Sequence, residues 1–182
     1  LAEASAEYMS VAAANWHALA RWWGRHDKVS RGLLIDIGST TTDIIPVCEQ
    51  HPRTNGLTDV IRLLSGELLY TGATRTPLCA IVSEVPFHNR LVPVAAEWFS
   101  TSLDVALLLE EIREQSGETA TANGGPATRD AAWDRIARQI CCDRTECSLD
   151  EAMQIARHIR TAQLDQIRKA LYRVSEHHSL RS

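Results

Sequence analysis

The chain has no run of eighteen apolar residues and no charged N-terminal region followed by an apolar core, so neither a membrane-spanning helix nor a secretory leader is legible in it. It also lacks a basic stripe and any interleaving of aromatic with basic side chains. With a formal net charge of −4 and a pI of about 6.0, it is not expected to bind nucleic acid or a membrane, and the expected compartment is the cytoplasm. Cysteine is present but without pattern: Cys48, Cys79, Cys141, Cys142 and Cys147 are odd in number and unevenly spaced, which excludes a disulfide framework. The last three lie close in sequence, yet no Cys-x-x-Cys or helical histidine pair completes a tetrahedral metal set, so structural or incidental thiols are expected. His158, His177 and His178 fall on or after the last expected helix and read as solvent-facing. No internal repeat occurs, and only Glu118 to Thr128, rich in Gly, Thr and Ala, reads as flexible.

The chain does have enough apolar content, 45% of its 182 residues, to bury a globular core. Its most informative segment runs from Leu33 to Ile45. A buried strand (Leu33 to Ile37) ends at Gly38, the chain turns through Ser39 and Thr40, and a second strand (Thr41 to Val47) returns. Backbone N–H groups and the hydroxyls of Ser39, Thr40, Thr41 and Thr42 can converge on phosphate oxygens, while Asp36 and Asp43 can hold a hydrated Mg²⁺ beside them. A plain hairpin with a solvated polar turn would share the glycine and the hydroxyls. The carboxylate at each edge, next to a buried run, favours the phosphate reading. Neutralising either aspartate is then expected to leave the fold unharmed, because carboxylates gathered for a cation repel one another without it.

The rest of the chain reads as α/β. Residues 3 to 23 place Tyr8, Val11, Ala12, Asn15, Leu19, Trp22 and Trp23 at helical spacing, with Trp16 beside that stripe and Gly24 as its stop. A loop follows from 48 to 58, then a helical turn (Asp59 to Leu64) and two strand-like segments, Leu68 to Thr71 and Ala80 to Val85. After Pro93 the chain is read as helical: one helix capped by Thr101 or Ser102 and ending at Gly117, one opened by Thr128, and one opened by a Ser148–Glu151 capping box. An α/β part of about 1–95 and a helical part of about 96–182 are expected.

The pattern Asp36, Gly38, Thr41, Asp43, Ile44 resembles the second phosphate loop of the actin, sugar-kinase and heat-shock-chaperone ATPase superfamily, most closely its hydantoinase/oxoprolinase branch. Gly66–Ala80, Glu97-Trp98-Phe99 running into Ser102–Val105, and Thr121–Thr128 are similar to one subfamily of that branch, linked to tetrahydromethanopterin-dependent one-carbon transfer and methanofuran synthesis. The resemblance runs from about Ala12 to about Val174. It implies an actin-like (ribonuclease H-like) ATPase lobe with a mixed β-sheet, flanking helices and a helical C-terminal part. It further implies Mg²⁺, with ATP as a candidate cofactor, and a small phosphorylated substrate. The family's other phosphate loop and its nucleotide-base loop are missing from this sequence, so it is expected to be a central-to-C-terminal piece of a longer protein. Where the subfamily reads Thr-Ala-Asp-Gly-Arg, this chain has Asn123 and Gly125 in place of the carboxylate and guanidinium.

Arg75, within Thr71-Gly72-Ala73-Thr74-Arg75-Thr76-Pro77, is the expected substrate contact, since a guanidinium at a turn of small residues suits phosphate or carboxylate. A surface arginine paired with Glu67 or Glu84 is the alternative. Glu67 is the candidate carboxylate for a metal or an amine, and Tyr70 and Trp98 are candidates for an aromatic wall. Three classes follow: a phosphate-dependent transferase condensing a phosphorylated aminomethylfuran with a phenol, a nucleotide-coupled ring hydrolase of the hydantoinase/oxoprolinase type, and a silent binding subunit. Oligomeric state is left open, a homo-oligomer included.

Overall fold

A computed structural model describes residues 15–178 of the chain. Among them are five α-helices and two β-sheets, whose strand pairings are all antiparallel. The α/β composition is as expected; among the described residues no sheet mixes parallel with antiparallel pairing. The fold divides into two compact units, one of residues 15–70 with 167–178 and the other Thr71–Gln166. This boundary lies away from the division near residue 95, because the loop after Tyr70 already packs with the helices that follow it.

In the first unit, α1 (Asn15–His26) leads to β1 (Arg31–Ile37), β2 (Thr42–Cys48), the short β3 (His51–Pro52), α2 (Asp59–Ser65) and β4 (Leu68–Leu69). Strand β2 is central: β1 pairs along one edge, β3 and β4 along the other. Alternation along β2 sends Ile45 and Val47 to pack with Trp16 and Ala20 of α1, and Ile44 to pack with Ala170 and Val174 near the end of α5 (Leu149–His177). Strand β1 is an edge, and its Ile35 and Ile37 are exposed, so it is less buried than its apolar sequence implies. Residues before Asn15, including Tyr8, Val11 and Ala12 of the expected helix, lie outside the described residues.

Gly24 does not stop α1. The helix continues to His26, and Gly24 is buried where a Cβ would lie 2.7 Å from the carbonyl oxygen of Gln50. It is there for close approach of helix to turn. Gly66, by contrast, does end α2, with φ +82°.

The second unit packs the first part of α5 with α3 (Ser102–Leu108), α4 (Arg129–Arg138) and the hairpin of β5 (Glu84–Phe87) and β6 (Arg90–Pro93) around Leu78, Val85, Val105, Leu108, Ile136, Ile155 and Ile159. The hairpin turns at His88 and Asn89, both with positive φ. Thr101 caps α3 in a capping box with Asp104, Thr128 caps α4, and Ser148 with Glu151 opens α5. Helix α3 ends at Leu108 rather than Gly117, since Glu110 takes positive φ and breaks the ladder.

Candidate functional site

Pairing of β1 with β2 puts Asp36 directly opposite Asp43, so both carboxylates rise from one face of the sheet, the face that α1 covers. Their strands are joined by Gly38–Thr41, closed by the Gly38 N–H donating to the Thr41 carbonyl at 2.8 Å. That bond takes the Gly38 amide out of any phosphate cradle, a correction to the sequence reading. Ser39 and Thr40 are exposed and Thr41 half-buried at the tip, whereas Thr42 is fully buried within β2 and paired to both Ile37 and Leu69. Thr42 therefore belongs to the strand interior and not to an exposed hydroxyl loop.

Asp36, Gly38, Thr41 and Asp43 line a recess of about 190 Å³ with four groups the sequence did not single out for it: Asn15, Trp16, Asp59 and Arg62. Arg62 is 1% exposed, stacks with its guanidinium 3.8 Å from the Trp16 ring centre, and donates to Asp43 Oδ1 at 2.7 Å and to the Glu67 carbonyl at 3.2 Å. Its Nε has no hydrogen-bond partner among the described residues. Burial pushes the Asp43 carboxyl above its ordinary range and Asp36 and Asp59 push the same way, with Arg62 opposing. The three carboxylates thus share this recess with one guanidinium. They do not gather into a common set of three ligands among the described residues, so a cation here would be held by the Asp36–Asp43 pair, in the manner of Mg²⁺ sites that keep waters and phosphate oxygens as the remaining ligands. Hard carboxylate oxygens on facing strands fit such an ion, and Asp43 retains Oδ2 for it.

Tyr70 lines the same recess and is exposed. Trp98 is exposed in the second unit, as is Arg75, which has no ion pair or hydrogen bond among the described residues, so the alternative reading, a pairing with Glu67 or Glu84, is not found.

Glu67 is placed differently from the expectation. Its carboxylate is fully buried and accepts from the Asn55 backbone N–H and side-chain Nδ2, both at 2.9 Å, with His178 Nε2 at 3.4 Å. It anchors the loop before α2 and the end of α5 instead of facing a substrate, and His178 is correspondingly half-buried rather than solvent-facing. In the second unit, Arg135 holds the Asn123–Pro126 loop through Asn123 Oδ1 and the Pro126 carbonyl and pairs with buried Asp104 at 2.7 Å. The glycine-rich stretch is therefore tied down. The five cysteines are free thiols, and burial pushes Cys147 up to about 11.

The missed residues carried weak signals. Arg62 stands between Ile61 and Leu63 in α2, and a charge inside that aliphatic run is the only signal; Trp16 sits beside the helical stripe and reads as core alone.

No helix among the described residues is long and apolar enough to cross a membrane. The hydantoinase/oxoprolinase family profile matches residues 1–181. The chain is 31% identical over 178 residues to the "(4-{4-[2-(gamma-L-glutamylamino)ethyl]phenoxymethyl}furan-2-yl)methanamine synthase" of Methanocaldococcus jannaschii, covering 98% of this chain and 53% of that protein. It is 35% identical over 150 residues to the protein of the same name from Methanococcus vannielii, covering 82% of this chain and 67% of that one. The chain spans about half the length of the first of these relatives and two thirds of the second. A match along almost the entire chain, joined to two relatives above 30% identity, places it: the chain belongs to the hydantoinase/oxoprolinase family.

Proposed function

We propose that the Asp36–Asp43 hairpin is the magnesium- and phosphate-binding loop of a transferase in methanofuran-type coenzyme synthesis, carried on an actin-like ATPase lobe. One observation supports this above the others: two aspartates on facing strands, at the mouth of a hydroxyl-bearing turn, in a recess where carboxylates outnumber the one cation. A bare phosphate would be repelled there, whereas a phosphate arriving with a divalent cation would not. Asp36 and the Asp43 oxygen left by Arg62 would hold the ion, which when bound neutralises phosphate charge and improves the leaving group.

The chain's own groups do the positioning. Ser39, Thr40 and Thr41 hydroxyls donate to phosphate oxygens, and Arg62 fixes the Asp43 carboxylate. Tyr70 gives an exposed aromatic face at the recess for a furan or phenol ring. The relatives' name describes an aryl ether between a phenol and a furan-bearing methylene. In the proposed reaction the phenol oxygen bonds to that methylene carbon as the carbon–oxygen bond to phosphate breaks. The bonding electrons leave with phosphate and the phenolic proton passes to solvent.

The test is to incubate the protein with an aminomethylfuran phosphate and γ-glutamyltyramine and follow the ether by mass spectrometry. Magnesium-dependent ether formation, lost in Asp36→Asn, is expected. Hydantoin hydrolysis without any ether would transfer the assignment to ring hydrolysis.

A further inference from the structure

The loop from Thr71 to Thr76 is fixed more firmly than an ordinary surface connection. Gln163 on α5, 3% exposed, donates from Nε2 to Thr71 Oγ1 and to the Gly72 carbonyl, both at 2.9 Å. Its Oε1 accepts from Arg160 at 2.5 Å, and Arg160 is held in turn by both carboxylate oxygens of Glu111. The Thr76 hydroxyl accepts from the Gly72 N–H at 2.8 Å, while its N–H donates to Ser102 Oγ at 3.2 Å and its carbonyl accepts from the Ser102 N–H at 2.9 Å. Thr71, Thr76, Ser102 and Gln163 are all buried. Buried polar groups are costly unless satisfied, and here they satisfy one another in a way that fixes the backbone on both sides of residues 73–75.

Between those fixed points the Thr74 carbonyl accepts from the Leu103 N–H at 3.2 Å, and it is the donors that are left bare. Among the described residues the N–H groups of Ala73, Thr74 and Arg75 donate to nothing, and the exposed Arg75 guanidinium has no partner. Consecutive unengaged amides beside a free guanidinium, on a rigid base, are the donor set an oxyanion requires.

We propose that the Thr71–Thr76 loop is a built site for a phosphate monoester or diphosphate group, and that Gln163 is its positioning residue. The ligand class rests on the phosphate reading given under Proposed function; the loop geometry does not depend on the hairpin. Gln163 touches no ligand. It acts by holding Thr71 and Gly72, and so the angle at which Arg75 and the three amides are presented.

Titration of the protein with inorganic pyrophosphate in the absence of divalent cations, by calorimetry and by the Arg75 Nε–H signal in NMR, tests this. Arg75→Ala is expected to weaken binding by about tenfold, in keeping with one lost charged hydrogen bond. Gln163→Leu should weaken it comparably and broaden the Arg75 signal, and the double variant should bind less than about twofold worse than the weaker single one, because both act through one loop. Thermal midpoints are recorded alongside. Should Gln163→Leu fail to fold, Thr76→Val, which removes only the hydroxyl gripping Gly72, carries the same expectation. Absence of cation-free pyrophosphate binding, binding unchanged by these variants, or losses that multiply in the double variant would overturn the proposal. The hairpin reading is judged by its magnesium-dependent response, so either can fail alone.

Discussion

Replacing Arg62 with methionine would strip the buried cation from the recess while keeping an unbranched side chain over Trp16. Arg62→Met removes the 2.7 Å bond to Asp43 Oδ1 and the 3.2 Å bond to the Glu67 carbonyl. Losing the charged hydrogen bond alone is worth about 1.5–3 kcal/mol. The Asp43 side chain is only 14% exposed, and leaving it beside Asp36 and Asp59 without a counter-ion moves the loss toward the roughly 3–5 kcal/mol seen when one partner of a buried pair is removed. Part of this is offset, since the unsatisfied Arg62 Nε and the buried guanidinium charge also disappear. The expected net destabilisation is about 3 kcal/mol, or roughly 6–12 °C in Tm for a chain of this size.

The pH dependence carries the sign. Burial already raises the Asp43 carboxyl, and without Arg62 it rises further. A carboxyl whose folded pKa lies above its unfolded value takes up its proton more readily in the fold, so that stability is present at low pH and lost as pH rises through the raised pKa. The deficit of Arg62→Met should therefore grow from acid toward neutral pH, and Asp43→Asn added to it should restore part of the loss. Urea unfolding followed by circular dichroism across that range reads both. A loss below about 0.5 kcal/mol, the range of an ordinary surface change, or one independent of pH, would refute the reasoning.

Gly24→Ala should destabilise by about 1–3 kcal/mol, because the added methyl meets the Gln50 carbonyl at 2.7 Å; an unchanged thermal midpoint would mean that α1 does not approach the turn so closely. The Ser148 hydroxyl and N–H, with His88 adding to them, hold the Glu151 carboxyl below its ordinary range, so its stabilisation is present above the unfolded carboxylate pKa and is lost as pH falls through the lower folded value. Glu151→Gln should accordingly flatten the acid limb of the stability curve, and an ordinary titration midpoint for Glu151 by NMR would count against this. Asp36→Asn should leave Tm unchanged or slightly raised, since Asp36 repels Asp43; a clear loss in calorimetry would make Asp36 a structural acceptor.

What the sequence made legible was local. The hairpin of Asp36 and Asp43 and the caps at Thr101, Thr128 and Ser148 follow from neighbouring residues, and the structure has them. The length of the helix after Thr101 was not legible, because it ends on a positive φ at Glu110 that no glycine announces, and neither was the His88–Asn89 turn. Partners distant in sequence were hidden for the same reason. Arg62 reaches Asp43 across 19 residues, Glu67 is satisfied by Asn55 and His178, and Gln163 grips Thr71 from 92 residues away. Each is a polar residue whose environment is set by packing alone.

The central claim is that the hairpin binds phosphate through a cation on Asp36 and Asp43. Amide NMR spectra of the protein, titrated first with Mg²⁺ and then with pyrophosphate, address it most directly. Mg²⁺ should shift the amides around Asp36 and Asp43, pyrophosphate should then shift Ser39, Thr40 and Thr41 only when Mg²⁺ is present, and Asp36→Asn should abolish both responses. Hairpin amides unmoved by Mg²⁺ and pyrophosphate together would contradict the account.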